Sequence, residues 1–108
     1  MDNSLYNWLV ESSAAFGWAR TFNIDDVQAN ANAGAVCLIC AQRTDLNRSG
    51  HITAVVPETE LHQAKRDNGR VTVPLESQAG ASNYNYVTKL IPWWTAAQFR
   101  RFGFWVHP

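Results

Sequence analysis

Four side chains carry the chemistry this sequence offers most directly: Ser4, His51, Glu76 and Gln78. His51 stands after Gly50 at the head of the apolar run "HITAVV". An imidazole changes charge near neutral pH, so it can take a proton and return it as a general base and acid. It also needs a partner that keeps one ring nitrogen protonated and aims the other. If "HITAVV" and "RVTVPLE" pair as antiparallel strands with Val56 opposite Val71, His51 falls opposite Glu76. A slip of two residues brings Gln78 there instead, and a slip of one turns a strand over. Glu76 or Gln78 is therefore the expected orienting group.

A base acts on a nucleophile, and the best-activated position for one is the N-terminus of a helix, where unpaired N–H groups favour an anion. The first helix of this chain is expected to open at "DNSLYNW", with Ser4 at its mouth. Serine is also a preferred N-cap for purely structural reasons.

The elements that must hold these residues follow from the pattern. Leu5, Trp8, Leu9, Ser12, Ala15 and Phe16 recur at helical spacing, and Gly17 supplies a stop. "IDDVQANAN" predicts a short second helix with an acidic first turn, ending near Gly34. "AVCLICA" is a continuous apolar run of strand length, which predicts a strand buried on both faces. "HITAVV" is the next strand, "ETELHQAKRD" a short surface helix, and "RVTVPLES" a third strand with Pro74 marking an edge or bulge. "QAGASNYN" is a loop, "TAAQFRRF" a helical turn and "GFWVH" a closing strand. Helices come first and strands follow, so the fold class is α+β, with an N-terminal helix packed on a small antiparallel sheet.

Composition sets the outer limits. A chain of 108 residues suits one domain, 1–108, and 46% hydrophobic residues allow a packed core. Nine basic side chains against nine acidic ones argue against a nucleic-acid partner held by phosphate attraction. No stretch approaches the roughly eighteen apolar residues of a membrane span, and no signal peptide is visible, so work outside the cytoplasm would need another route of delivery or a leader that this sequence has lost.

The same segments resemble a known family. "SLYNWLVESSAAFG", then "AGAVCLIC", then "SGHITAVV", then "VTVPLESQ" follow the order seen in CHAP-type and NlpC-type papain-like cysteine amidases and peptidases, which act on bacterial cell walls. The glycine-histidine strand is the specific match. The resemblance implies a papain-like fold and cleavage of an amide in peptidoglycan by covalent acyl transfer. His51 would be the base, Glu76 or Gln78 its orienting partner, and Ser4 would stand where the family has its cysteine. A serine hydroxyl is much less acidic than a thiol, so Ser4 is a departure. An engineered replacement, a cysteine upstream of residue 1, or a homologue that has lost activity or uses serine would each account for it. No cofactor is implied. The partners implied are a stem peptide or glycan-peptide, with an immunity or inhibitor protein as a further one. The alternative is an inactive relative that binds cell-wall fragments, or a protein partner, through an aromatic groove.

That groove would draw on "SNYNY" and "IPWWTAAQFRRFGFW", with Tyr84, Tyr86, Trp93 and Trp94 as its substrate-binding wall. Phe104 and at least one of the tryptophans are expected in the core. Cys37 and Cys40 lie three apart within an apolar strand, so they should point to opposite faces as buried, inert thiols. A zinc site would need a second ligand pair that the sequence does not offer. "DLNRSG" opens like a calcium loop, but Val56 occupies the position that requires a glutamate.

Overall fold

The computed structural model describes residues 2–79, 86–90 and 92–108. Helix α1 spans Asp2–Ser12 and runs into a 3-10 turn, Ser13–Phe16. The Ser13 hydroxyl donates to the Leu9 carbonyl, and Gly17, at φ 87°, closes the element where glycine alone is unstrained. Strand β1 (Ala19–Thr21) leads to α2 (Ile24–Asn32), whose Asn23 cap accepts from the Asp25 amide at 2.9 Å. Strands β2 (Val36–Arg43) and β3 (His51–Val55) follow, then β4 (Lys65–Asp67), β5 (Arg70–Val73), β6 (Glu76–Ala79), β7 (Tyr86–Lys89) and β8 (Phe99–His107). Six of them form one antiparallel sheet in the order β1-β8-β2-β3-β6-β7, and β4 pairs with β5 alone. The fold is α+β, two helices and an antiparallel sheet, as the pattern predicts. No helix among the described residues is long and apolar enough to cross a membrane.

The sheet is covered on both faces, which is why β2 reads as an unbroken apolar run. On one side α1 lays Tyr6 and Leu9 over Cys40 and Trp105, with Leu5, Trp18 and Ile52 at the margin. On the other, Val27 and Ala31 of α2 pack with Cys37, Ile39, Ala41, Val55, Phe104 and Trp94. Successive residues of a strand face opposite ways. The two cysteines of β2 therefore belong to different clusters, as their spacing predicts, and both are buried.

Three elements depart from the sequence pattern. Residues 58–67 form no helix; the chain runs extended into β4 and turns back through Asn68 and Gly69, both at positive φ, the signature of a tight hairpin. The expected third strand is split at Pro74, which has no N–H to donate. Val71 and Val73 stay with the hairpin, while Glu76–Ala79 join the main sheet. The helical turn near the C-terminus comes earlier than expected, at Trp93–Thr95, and β8 already begins at Phe99. Strands β1 and β7, three and four residues long, carry no pattern long enough to read.

Candidate functional site

Strand β3 starts at His51 because β2 and the first turn of α1 close on the residue before it. A Cβ on Gly50 would lie 2.4 Å from the Ala41 carbonyl and 2.7 Å from Asn3 Oδ1. The glycine is there for close approach of backbone, not for an unusual turn. Asn3, on which no sequence signal falls, is the clamp. Its Oδ1 accepts from the Arg43 amide at 3.0 Å, and its Nδ2 donates to the carbonyls of Arg48 at 2.5 Å and Leu46 at 3.4 Å. One side chain thus pins the 44–50 loop to α1 and delivers His51 to the end of the sheet.

His51 pairs with Ala41 across the β2–β3 ladder, and Ile52 pairs with Cys40. Ala41 belongs to the α2 side of the core, and Cys40 and Ile52 to the α1 side. The imidazole therefore leaves the sheet on the face away from α1. It is half-buried and meets the indole of Trp93 edge to face, ring centroids 4.6 Å apart at 83°.

Trp93 is held from below. Its Nε1 donates to Glu76 Oε1 at 2.6 Å and lies 3.2 Å from Thr53 Oγ1, while the Thr53 hydroxyl donates to the same carboxylate oxygen at 2.9 Å. Glu76 is only 1% exposed. A carboxylate this deep is retained at high desolvation cost, which charge-assisted hydrogen bonds offset in part. Its donors place it under the indole, and the indole carries the contact onward to His51. The cluster can hold an imidazole at a fixed angle beside solvent, which is what a proton-transfer group or a ligand-binding histidine requires.

Of the expected site, the structure assembles half. Glu76 pairs with Val55 and not with His51, four residues along β3 from the expected register. The cause is Pro74: once β5 leaves for the hairpin, the assumed Val56–Val71 pairing no longer sets the alignment. An even offset keeps Glu76 on the His51 face, so the two residues share one cluster through Trp93. Gln78 lies in β6 paired with Val87. Ser4 lies on α1, next to the Asn3 that meets Gly50. It is exposed, it sits within the first turn of a helix that already begins at Asp2, and α1 covers the opposite face of the sheet.

The two tryptophans of the expected aromatic wall lie elsewhere than at a groove. Trp94 is 3% exposed and packs on Phe104 at 5.5 Å, and Trp93 is taken up by Glu76, His51 and Phe99, so neither indole forms an open groove. Both roll inward because the 3-10 turn Trp93–Thr95 sits on the sheet instead of at its rim. Phe104 lies in the core as expected. Tyr86 lies in β7 opposite Ala79, and Tyr84 falls outside the described residues. Other aromatics are exposed: Phe16 beside Trp8, Phe22, 81% exposed, over the Arg20 guanidinium, and Phe102 beside Trp94.

Among the described residues no three His, Cys, Asp or Glu side chains converge where a metal could sit. Burial raises the Cys37 thiol above its ordinary value, which makes it a poorer nucleophile at neutral pH. Comparison with protein-family models, curated proteins and solved structures finds no match for this chain.

Proposed function

We propose that this chain is a recognition domain that engages a peptide-containing ligand at the His51 end of its sheet and does not use Ser4 as a nucleophile. One observation carries the reading: Ile52 faces α1 while His51, its neighbour, faces Trp93. Acyl transfer needs nucleophile and base within about 3.2 Å of each other. A hydroxyl on the exposed side of α1 and an imidazole that leaves the sheet on the opposite face argue against that arrangement. The ligand class comes from the resemblance of "SGHITAVV" and its flanking segments to CHAP-type and NlpC-type domains, which also supports a papain-like arrangement. On that basis the ligand is a peptidoglycan fragment, bound and not cleaved.

The test uses insoluble peptidoglycan and three proteins: the chain itself, Ser4→Cys, and Ser4→Cys with His51→Ala. Mass spectrometry of the soluble fraction is expected to show no new products from any of them. Co-sedimentation is expected to retain the chain and to weaken when His51 is replaced. Products from Ser4→Cys that vanish in the double variant would overturn the reading.

The buried Glu76 beneath the Trp93–His51 contact favours a second reading, an amidase whose nucleophile is some residue other than Ser4. His51 would take the proton of that group as it attacks the carbonyl carbon. The C–N bond would break as the proton passes to the departing amine, and water would then release the acyl group. Cleavage by the unaltered chain that survives Ser4→Ala and is lost in His51→Ala would select this reading.

A further inference from the structure

Beside the His51 cluster, the 43–48 loop and Gln98 border an open cavity of about 360 Å³ lined by Arg43, Thr44, Asp45, Arg48 and Gln98. Its frame is tied at several points. The Thr44 amide donates to the Gln98 carbonyl at 2.8 Å and its hydroxyl to Ala97, and the Arg48 amide donates to the Asp45 carbonyl at 3.1 Å. Asn3 holds the Arg48 carbonyl from below. Arg43 is fixed by its Nε, which donates to the Ser49 carbonyl at 2.9 Å, and by its guanidinium lying 5.4 Å from the Phe99 ring centre. That anchoring involves the inner nitrogen alone. Among the described residues neither terminal nitrogen of Arg43, nor the side chain of Arg48, has a hydrogen-bond partner.

A guanidinium held by one nitrogen and a ring, with its outer pair turned to an open cavity, has the geometry of a bidentate oxyanion contact. The charges lining the cavity narrow the ligand further. Two arginines against one aspartate leave a single positive charge, and the Asp45 carboxylate is turned back to accept the Asn47 amide at 3.0 Å. A monoanion balances that cavity and a dianion does not. A second cavity, about 590 Å³, lacks this property: it is lined by Glu58 and Glu60, and its arginine, Arg66, is already paired with Glu58.

We infer that Arg43 and Arg48 form a binding site for a carboxylate, the free carboxyl group of a peptide or an acylated amino acid. The site stands on its own cavity, whether or not the reading of His51 holds. Phe99 touches both Arg43 and Trp93, 5.1 Å ring to ring in the latter case, so a peptide anchored by its carboxylate could extend along that ring toward His51.

The experiment is an NMR titration of the ¹⁵N-labelled chain with N-acetyl-dialanine as the free acid, with its C-terminal amide, and with inorganic phosphate. The acid is expected to shift the Arg43 Nε–H signal and the Thr44 and Arg48 amides saturably, and the amide to leave them in place. Arg48→Gln, a change at an exposed side chain that should leave the fold intact, is expected to weaken acid binding about tenfold. Arg43→Gln is expected to do the same, and its unperturbed spectrum elsewhere checks that the Phe99 contact is not what failed. Equal shifts from acid and amide, no shifts from either, or undiminished binding by Arg48→Gln would overturn the assignment. Tighter binding of phosphate than of the acid at the same signals would overturn the choice of a carboxylate.

Discussion

The Glu76 carboxylate accepts the Trp93 indole N–H at 2.6 Å, and the other side of that indole meets the His51 ring. A buried acid and a half-exposed base are thereby joined through an aromatic ring that each of them orients. The bond also links the turn at Trp93–Thr95 to β6, two segments that share no ladder. Replacing Trp93 by Phe keeps most of the ring but removes the donor from a carboxylate that is 1% exposed. The expected cost is about 1–3 kcal/mol in urea unfolding, the usual penalty for a buried polar group deprived of a partner. Removing the carboxylate as well, in Trp93→Phe with Glu76→Leu, should recover part of that loss, because the stranded acceptor goes with it.

Gly50→Ala tests the clamp at the start of β3. The new methyl group would meet the Ala41 carbonyl at 2.4 Å and Asn3 Oδ1 at 2.7 Å, and a backbone oxygen in a sheet cannot swing aside as a side chain can. Overpacking of this kind costs about 1–3 kcal/mol. The damage should also be local: amide exchange at Arg43 and along the 44–50 loop should accelerate, because the Asn3 bonds to Arg43 and Arg48 are the first to be displaced. A loss of stability without faster exchange there would mean that the clamp is not what Gly50 serves.

The parts of this molecule legible in its sequence are those with a long pattern. Helical spacing from Leu5 to Phe16, the acidic first turn and glycine stop of α2, and the apolar run of β2 each placed an element close to where it lies. That His51 and Glu76 share one face is legible for a reason that survives a register error: an offset of an even number of residues preserves the side of the sheet. What was not legible depended on partners distant in sequence. Pro74 gives notice that a strand is interrupted, but not that its two halves join different sheets. Ser4 reads as catalytic because it stands near a helix start, and only the alternation of Ile52 and His51 against two separate cores shows which face the helix takes. Asn3 left no signal at all, since an asparagine that binds backbone 40 or more residues away has no local signature.

Glu58 gives a pH dependence whose sign can be worked out. Its carboxylate accepts from Arg66 through two nitrogens, from Asn32 and from the Ala64 amide, and these donors hold its pKa down, led by the Arg66 hydrogen bond, to about 2. A folded-state pKa below the unfolded value of 4.5 means that the ionised form is favoured in the fold. The contribution is therefore present in full above 4.5 and is lost as the pH falls from there towards 2. Arg66 is 40% exposed, so solvent screening makes the gain modest. Thermal unfolding of the chain and of Glu58→Gln should differ near neutral pH, and the gap should close over that acidic range. A gap independent of pH would show that the shape of the side chain matters and its charge does not.

A thiol placed at position 4 reports directly on whether His51 can reach it. The native cysteines give a silent background, because Cys37 is 1% and Cys40 0% exposed and neither should react with a bulky disulfide reagent while the chain is folded. Ser4→Cys adds one exposed thiol within the first turn of α1. The helix terminus can lower its pKa somewhat from the ordinary value of about 8.5. A neighbouring imidazole would lower it much further, and the alkylation rate would then stay high well into acid. With His51 on the other face of the sheet, the rate should follow a single ionisation, and the profile should be unchanged in Ser4→Cys with His51→Ala. A profile that moves when His51 is removed would establish contact between the two positions, and with it the dyad.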